Sequence, residues 1–389
     1  MTWITWLPGF VLGVATCYAL IVCVVAIGLL RLPRSRAVPD DEAPRVSVLV
    51  ACRNEEVDLP RCLAALAQLD YPADHLELIL VDDQSTDRTD ALLEAFARSR
   101  PHVRVLSTGD APDTGLRAKA RGIAWAAHHA TGDWLFITDA DGAVPPGWVR
   151  HMLSGVNDRI GIIGGMMVGV GGTWPGLVER VSWGYTLPFA FGMAGWGVAF
   201  IAVGPNMAVR RSIYVAAGGL ERAPFTIAED LALFRMVESA GYRALGQASP
   251  ETTVRLTPVP SFRHLLSQQR RWLRGGFEGD WRYWVGLVGA FGFHFLFSVG
   301  LVVGLVVSLP SVAVAWGLKF AADALLIGVE ARRTGEPRLI LLVPVAVAYT
   351  AIAFFWIPLS FLLTRTVEWQ GEGYRLSYPV KANRDAGRP

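Results

Sequence analysis

Hydrophobic and polar positions along the chain fall into two textures. Residues 46–142 alternate short apolar runs with segments of helical period, while both ends carry long runs without charge. VSVLVA (Val46–Ala51) and LELILV (Leu76–Val81) are almost unbroken apolar stretches rich in branched residues, the pattern of strands buried on both faces. His102–Leu106 and Trp134–Thr138 read as two further strands, and helical patterns cover about Asp58–Leu69, Asp87–Ser99 and Leu116–His129. This β-α-β-α succession predicts an α/β fold, a mostly parallel, Rossmann-like sheet with helices on both faces.

The uncharged ends predict membrane helices. Met1–Leu30 contains no charge, and the first charges are Arg31, Arg34 and Arg36. A bilayer core takes roughly 20 apolar residues in a helix, so Leu7–Leu30 is long enough to span. A secretory signal starts basic and ends at a small-residue cleavage site. Here the start is neutral and the far end basic, which predicts a retained anchor over residues 1–36. The arginines place the following domain in the cytoplasm, at the plasma or inner membrane if the protein is bacterial. Residues 284–364 read as a second membrane region with three helices, about 285–308, 311–329 and 339–363, and residues 365–389 as a polar tail. Lys319 and Asp323 stand four apart in the middle helix and can pair on one face. The loop with Arg332, Arg333 and Arg338 reads as cytoplasmic; that count sends the tail outside, although it holds Arg365, Arg375 and Lys381.

Residues 44–283 form the expected globular domain, with one apolar stretch of its own. Val181–Val209 is uncharged but interrupted by Gly184, Pro188, Gly192, Gly195, Gly197, Gly204 and Pro205. So many breakers predict a poor straight helix, placed at the membrane surface.

Composition agrees with this division. The chain is 52% hydrophobic and 18% charged, and 28 of its 34 acidic residues lie between Asp40 and Asp280. That excludes a disordered chain, a collagen or a coiled coil, and argues against a wholly soluble enzyme. A net charge of +2 gives no reason to expect nucleic acid. Cys17, Cys23, Cys52 and Cys62 show neither a disulfide framework nor a metal-site spacing.

Open α/β sheets bind ligands at the carboxyl ends of their strands, and the polar clusters fall there. CRNEE (Cys52–Glu56), VDDQSTD (Val81–Asp87) and TDADG (Thr138–Gly142) follow three of the strands. Glu55, Glu56, Asp82, Asp83, Asp139 and Asp141 therefore converge on one rim. Neither GxGxxG nor GxxxxGK[ST] occurs, so a glycine cradle for phosphates is not supported. Carboxylates suit a hard divalent cation bridging a diphosphate. Plainer readings exist for each: Asp87 caps a helix, a lone D-x-D arises by chance, and Glu229 and Asp230 favour the N-terminal dipole of the helix they begin. Arg263, Arg270, Arg271, Arg274 and Arg282 also fit a juxtamembrane basic belt.

Taken together, VSVLVACRNEE, LILVDDQSTDRT, LFITDADG, AED (Ala228–Asp230) and QQRRW (Gln268–Trp272) resemble a family 2 glycosyltransferase of the GT-A fold over about Val46 to Trp272. The flanking helices look most like the membrane-bound branch that includes ceramide glucosyltransferases and bacterial lipid or carotenoid glycosyltransferases. The resemblance implies that Glu55, Asp82 and Asp83 hold the nucleoside, and that Asp139 and Asp141 bind Mg²⁺ or Mn²⁺ on the sugar-nucleotide diphosphate. It gives Lys119 a phosphate contact, although LRAKARG departs from the Gly- and Asn-rich run usual there. It makes Asp230 the base beside Glu229, sets Arg271 against the leaving diphosphate and Trp272 at the acceptor, and puts Gln268 and Gln269 on the donor. Gly204–Asn206 resembles an acceptor-side loop, and His264 is either a further diphosphate or metal contact or a plain structural histidine. The implied activity is inverting transfer of a hexose from a nucleotide sugar, foremost a UDP-sugar, to a lipid hydroxyl at the membrane. A processive polysaccharide synthase, which also carries QxxRW, and a non-catalytic nucleotide-binding assembly subunit are the alternatives. The sugar, the lipid and the oligomeric state stay open.

Overall fold

The computed structural model describes residues 2–198, 203–223, 228–277, 291–300, 309–350 and 352–353, single positions 289 and 302, and two paired strands at 366–369 and 372–375. Its centre is a seven-stranded sheet. Four strands form the first half: β1 (Val46–Cys52), β2 (Leu76–Asp82), β3 (Val103–Ser107) and β4 (Trp134–Thr138). They are parallel, with β1 between β2 and β4 and β3 outside β2. Every described residue of β4 is buried, as are Val46–Val50 of β1, because helices cover both faces. The expected strands thus stand within one residue of their sequence limits.

The second half follows a different plan. After β5 (Gly142–Ala143) come β6 (Ile160–Gly165), β7 (Met167–Gly169), β8 (Asn206–Arg210), β9 (Arg243–Gln247) and β10 (Val254–Leu256). β8 enters between β4 and β6, antiparallel to both, and β9 closes the edge parallel to β6. β5, β10 and β7 form a small second sheet. Asn206 pins the two sheets together. Its amide donates to Met166 O at 2.6 Å and Thr252 O at 2.8 Å, and its carbonyl accepts from the Trp148 indole at 2.8 Å. The acceptor-side loop expected at Gly204–Asn206 therefore ends in a fully buried structural residue.

The stretch expected to be a poor helix contains a long one. After α1 (Thr2–Arg31), α2 (Leu59–Leu66), α3 (Thr89–Ala97), α4 (Ala118–His129) and α5 (Trp148–Met152), α6 runs from Trp174 to Ala194 and includes Pro188. Its glycines serve packing rather than breaking. A Cβ on Gly192 would lie 2.5 Å from Val25 O, and one on Gly195 would lie 1.8 Å from Gly28 O. α6 thus seats backbone on backbone against the end of α1, where Trp196 donates to Val24 O at 2.9 Å and Arg31 lies over the Trp196 ring. The end of the same stretch is β8, in the core of the sheet, so a surface placement does not hold for residues 206–209. Residues 199–202 lie outside the described residues.

The remaining helices are α7 (Arg211–Ala216), α8 (Glu229–Ser239), α9 (Phe262–Phe277), α10 (Phe291–Gly300), α11 (Leu309–Thr334) and α12 (Pro337–Thr350). Among the described residues, Pro8–Arg31 and Leu309–Thr334 are long and apolar enough to cross a membrane, while α10 and α12 are shorter. The other parts of the spans expected at 285–308 and 339–363, the position of Arg282, and most of the tail lie outside the described residues. α1 and α11 lie side by side and parallel. Tyr18 donates to Asp323 near the middle, and Arg333 donates to Leu30 O and Leu32 O at the end. The expected Lys319–Asp323 pair forms, with Nζ 2.5 Å from the carboxylate and 2.8 Å from the Thr350 hydroxyl on α12.

Candidate functional site

The rim is built by zipping the loops after β1 and β2 together. Asn54 and Gln84 take left-handed backbone conformations (φ 56° and 57°), one in each loop. Asn54 N–H donates to Ser85 Oγ at 3.0 Å, and its side-chain oxygen accepts from Thr86 N–H at 2.8 Å. Glu55 N–H donates to Thr89 Oγ1 at 2.8 Å and Glu56 N–H to Asp87 at 3.1 Å. Asp87 also accepts from Thr89 N–H at 2.9 Å, which satisfies one donor at the start of α3, although the N-cap position expected for it belongs to Arg88. Asp82 and Asp83 are both buried at the end of β2. Asp82 accepts from Ser85 N–H at 3.2 Å; Asp83 accepts from the Thr108 hydroxyl at 2.7 Å and has Arg53 3.7 Å away.

The D-x-D turn leaves β4 directly and is held by a residue that no sequence motif marks. Arg61, on α2, donates to Asp141 O, to Arg255 O at 3.2 Å and to the Thr257 hydroxyl at 2.8 Å. One guanidinium therefore ties the turn to β10. A lone arginine in an amphipathic helix gives no warning of this, because its partners are backbone carbonyls distant in sequence.

Lys119 joins the D-x-D turn to the AED motif. The ammonium pairs with Asp139 and lies 2.8 Å from Glu229 Oε1. Ala118, just before it, has φ 50°, a conformation that costs a non-glycine residue about 1–2 kcal/mol and aims the first turn of α4. Asp230 stands beside this pair: one oxygen accepts from Gly204 N–H at 3.0 Å and the other from Leu231 N–H at 2.8 Å. A Cβ on Gly204 would lie 3.1 Å from Lys119 Nζ and 3.2 Å from Glu229, a tight approach that these side-chain ends would accept only by giving way a few tenths of an ångström.

Burial and crowding set the proton affinities. Burial, then the neighbouring charges of Asp139, Asp58 and Asp87, raises Glu55 to about 7. Asp141 is pushed well above the usual carboxylate range by burial and by Asp139 and Glu55. Asp230 is raised by burial and by Glu229. Burial also opposes ionisation of Glu229, but the Lys119 ammonium outweighs it and holds this carboxyl below its ordinary value, with Arg271 adding to the effect. Two adjacent acids are thus driven apart, one firmly ionised and one with raised proton affinity, the division expected of an acid–base site.

QQRRW lies on α9, and its members face two ways. Arg271 falls within the electrostatic reach of Glu229. Trp272 packs on Trp183 of α6, ring centroids 3.8 Å apart. Gln268 donates to Glu179 at 2.9 Å, and Gln269 donates to Ser182 at 3.4 Å and to Tyr349, so the first bonds to α6 and the second to α6 and α12. His264 pairs with Ser261 at 2.7 Å on the exposed start of α9. Arg274's side chain lies outside the described residues.

The donor set fits a divalent ion. Asp141 Oδ1 is buried without a hydrogen-bond partner among the described residues, next to the carboxylates of Asp139 and Glu55. Among the described residues no three His, Cys, Asp or Glu side chains group as a complete metal site. Two aspartates would therefore supply part of an oxygen shell, with diphosphate and water completing it.

The chain is similar to several known glycosyltransferases. The chain is 28% identical over 240 residues to the probable glycosyltransferase YdaM of Bacillus subtilis (strain 168), covering 60% of this chain and 56% of that protein. A β-monoglucosyldiacylglycerol synthase from Synechocystis sp. (strain PCC 6803) is 34% identical over 110 residues, 28% of this chain and 22% of that one. A ceramide glucosyltransferase from Pyricularia oryzae is 27% identical over 157 residues, 34% of this chain and 32% of that one. The chain thus spans little more than half of the first of these relatives and less of the others. In fold, it is similar to the mannosyltransferase PcManGT from Pyrobaculum calidifontis, solved with GDP-Man and Mn²⁺, at a TM-score of 0.55, 20% identity, and coverage of 89% and 97% of the two chains. That likeness shows a GT-A fold. The characteristic sequence pattern of glycosyl transferase family 21 is matched over residues 7–382, and the chain belongs to that family.

Proposed function

We propose that this protein is an inverting, divalent-metal-dependent hexosyltransferase that moves a sugar from a nucleotide sugar, foremost a UDP-sugar, to the hydroxyl of a lipid. The observation that carries the reading is the placement of Lys119, which joins the D-x-D turn and the AED motif into one pocket. Relatives named for lipid acceptors, and two helices long and apolar enough to cross a bilayer, support the lipid and the membrane.

In this reading Glu55, Asp82 and Asp83 bind the nucleoside at the ends of β1 and β2. Asp139 and Asp141 hold Mg²⁺ or Mn²⁺, which supplies counter-charge to the departing diphosphate without a proton. Asp230 takes the acceptor proton as the hydroxyl oxygen bonds the anomeric carbon on the face opposite the leaving oxygen. Its carboxylate is aimed by Gly204 N–H and by the start of α8, and its raised proton affinity suits a base. Glu229 stays ionised and keeps Lys119 in place. Arg271 adds positive charge near the leaving diphosphate, and Trp272 lines the acceptor side. α1 holds the domain at the cytoplasmic face, with the acceptor reaching the pocket along α6.

The test is transfer by the full chain in lipid vesicles with Mn²⁺ or Mg²⁺ and a panel of radiolabelled nucleotide sugars. A discrete labelled species in the organic phase is the expected product. Asp230→Asn lowers turnover about 10²–10⁴-fold, and Asp141→Asn abolishes it, with both proteins folded and membrane-bound. Near-wild-type turnover by Asp230→Asn overturns the mechanism. A long water-soluble labelled polymer replaces this reading with a processive synthase, and bound nucleotide without transfer by any donor favours a non-catalytic subunit.

A further inference from the structure

Glu179 is a buried carboxylate on α6 with no place in the reaction described above. Both of its oxygens are engaged. Oε2 accepts from Val259 N–H at 2.7 Å and Oε1 from the Gln268 amide at 2.9 Å. Val259 lies in the segment entering α9 and Gln268 lies two turns into it, so one side chain holds this helix at both its approach and its second turn.

The next contacts repeat at helical spacing. Trp183, one turn beyond Glu179 on α6, meets Trp272, one turn beyond Gln268 on α9. Ser182 meets Gln269 between them. Pairs that advance together along both chains mean that α6 and α9 run parallel and in register here. Residues three and four apart share a helix face, so the bond at Gln268 and the positions of Arg271 and Trp272 are parts of one alignment. A slip of α9 by one residue would turn Arg271 about 100° away from Glu229. The Trp183–Trp272 contact is apolar and directionless, and does not by itself fix the register. The bonds of Glu179 do, together with those that Gln269 makes to Ser182 and Tyr349.

We infer that Glu179 is a positioning residue for the transfer reaction: by binding Val259 N–H and Gln268 together it sets the register of α9, and so the placement of Arg271 and Trp272. Gln268 then acts through Glu179 rather than by touching the nucleotide sugar. The inference rests on the proposed transfer for its kinetic consequence, but the register itself can be read without activity.

The experiment uses the full chain in nanodiscs, with Glu179→Ala, Glu179→Gln and Gln268→Ala. A misplacement of about 1 Å is enough to cost on the order of 10²-fold in rate. Glu179→Ala and Gln268→Ala should therefore each lower kcat at least tenfold with the donor KM within twofold of wild type, and the double variant should be no slower than the worse single one. Glu179→Gln should restore most of the rate. Its oxygen accepts from Val259 N–H, and its amide donates to the Gln268 oxygen, which is buried without a partner among the described residues, once that amide turns over. Incorporated 5-fluorotryptophan provides the second readout, with the Trp272 signal assigned by its loss in Trp272→Phe. That ¹⁹F signal should move in Glu179→Ala and Gln268→Ala and stay in Glu179→Gln, whether or not the wild type transfers sugar. A wild type that transfers nothing defeats the proposed function and leaves the ¹⁹F result to decide this inference. An unmoved Trp272 signal in both alanine variants overturns the inference, as does a Gln268→Ala that raises the donor KM while Glu179→Ala does not. If Glu179→Ala does not fold, Glu179→Gln and Gln268→Ala decide by the same two criteria.

Discussion

Replacing Lys119 with methionine removes one positive charge from a pocket holding Glu55, Asp139, Asp141, Glu229 and Asp230. The side chain keeps most of its length, so packing changes little. Lys119 is 15% exposed, and its partners Asp139 and Glu229 are 31% and 12% exposed. Removing one member of a buried charge pair costs about 3–5 kcal/mol, because the partner is left unpaired. At about 2–4 °C per kcal/mol for a domain of this size, Lys119→Met should lower the metal-free Tm by roughly 10 °C. A bound Mn²⁺ offers a replacement charge to Asp139, so saturating metal should raise the Tm of the variant more than that of the wild type. The assay is tryptophan-detected thermal unfolding in nanodiscs, with and without Mn²⁺. A metal-free Tm within 2 °C of wild type, or equal stabilisation of both proteins by Mn²⁺, refutes the claim that Lys119 holds these acids together.

Three more outcomes follow from the same structure. Arg61→Ala frees the D-x-D turn from β10 and should weaken Mn²⁺ binding about 10-fold or more, the scale seen when supporting groups around a metal are lost, as measured by titration calorimetry on the full chain. Glu55, at about 7 in the folded protein against an ordinary 4.5, favours folding fully below about pH 4.5. That contribution is lost as pH rises through 7, on the order of 3 kcal/mol; denaturant unfolding of metal-free protein across this window should show a shallower slope in Glu55→Gln. Lys319→Met leaves Asp323 buried without its cation and should cost about 3–5 kcal/mol in detergent, while Lys319→Met with Asp323→Leu regains most of it. Equal loss in both variants would mean that the pair is not what joins α11 to its neighbours.

The first half of the sheet was legible because strands buried on both faces must be apolar throughout, and β1, β2 and β4 announce themselves that way. The rim was legible for the same reason: polar residues at the ends of such runs have one place to go. The second half was not. β8 is too short to distinguish from the apolar stretch before it, and its antiparallel insertion depends on partners far along the chain. α6 was misread because its glycines were weighed as helix breakers, whereas Gly192 and Gly195 exist for a neighbour that local propensity does not include. The partners of Gln268 and Gln269 on α6 and α12 were equally out of reach, since a motif indicates that residues matter but not which of several nearby surfaces they touch.

The seating of Gly28 against Gly192 and Gly195 has a mechanical meaning. A joint made of long side chains can flex by changing rotamers, but two backbones in direct contact have no such play. α6 is therefore fixed in height along α1, and through Glu179 and Gln268 it carries α9, whose Arg271 lies within electrostatic reach of Glu229. If α1 crosses the bilayer, the reaction centre sits at one set altitude above the lipid headgroups. Under the proposed transfer, the protein would then measure a lipid acceptor with a ruler as well as a pocket: a hydroxyl offered at the right depth is within reach, and the same group carried deeper or higher is passed over.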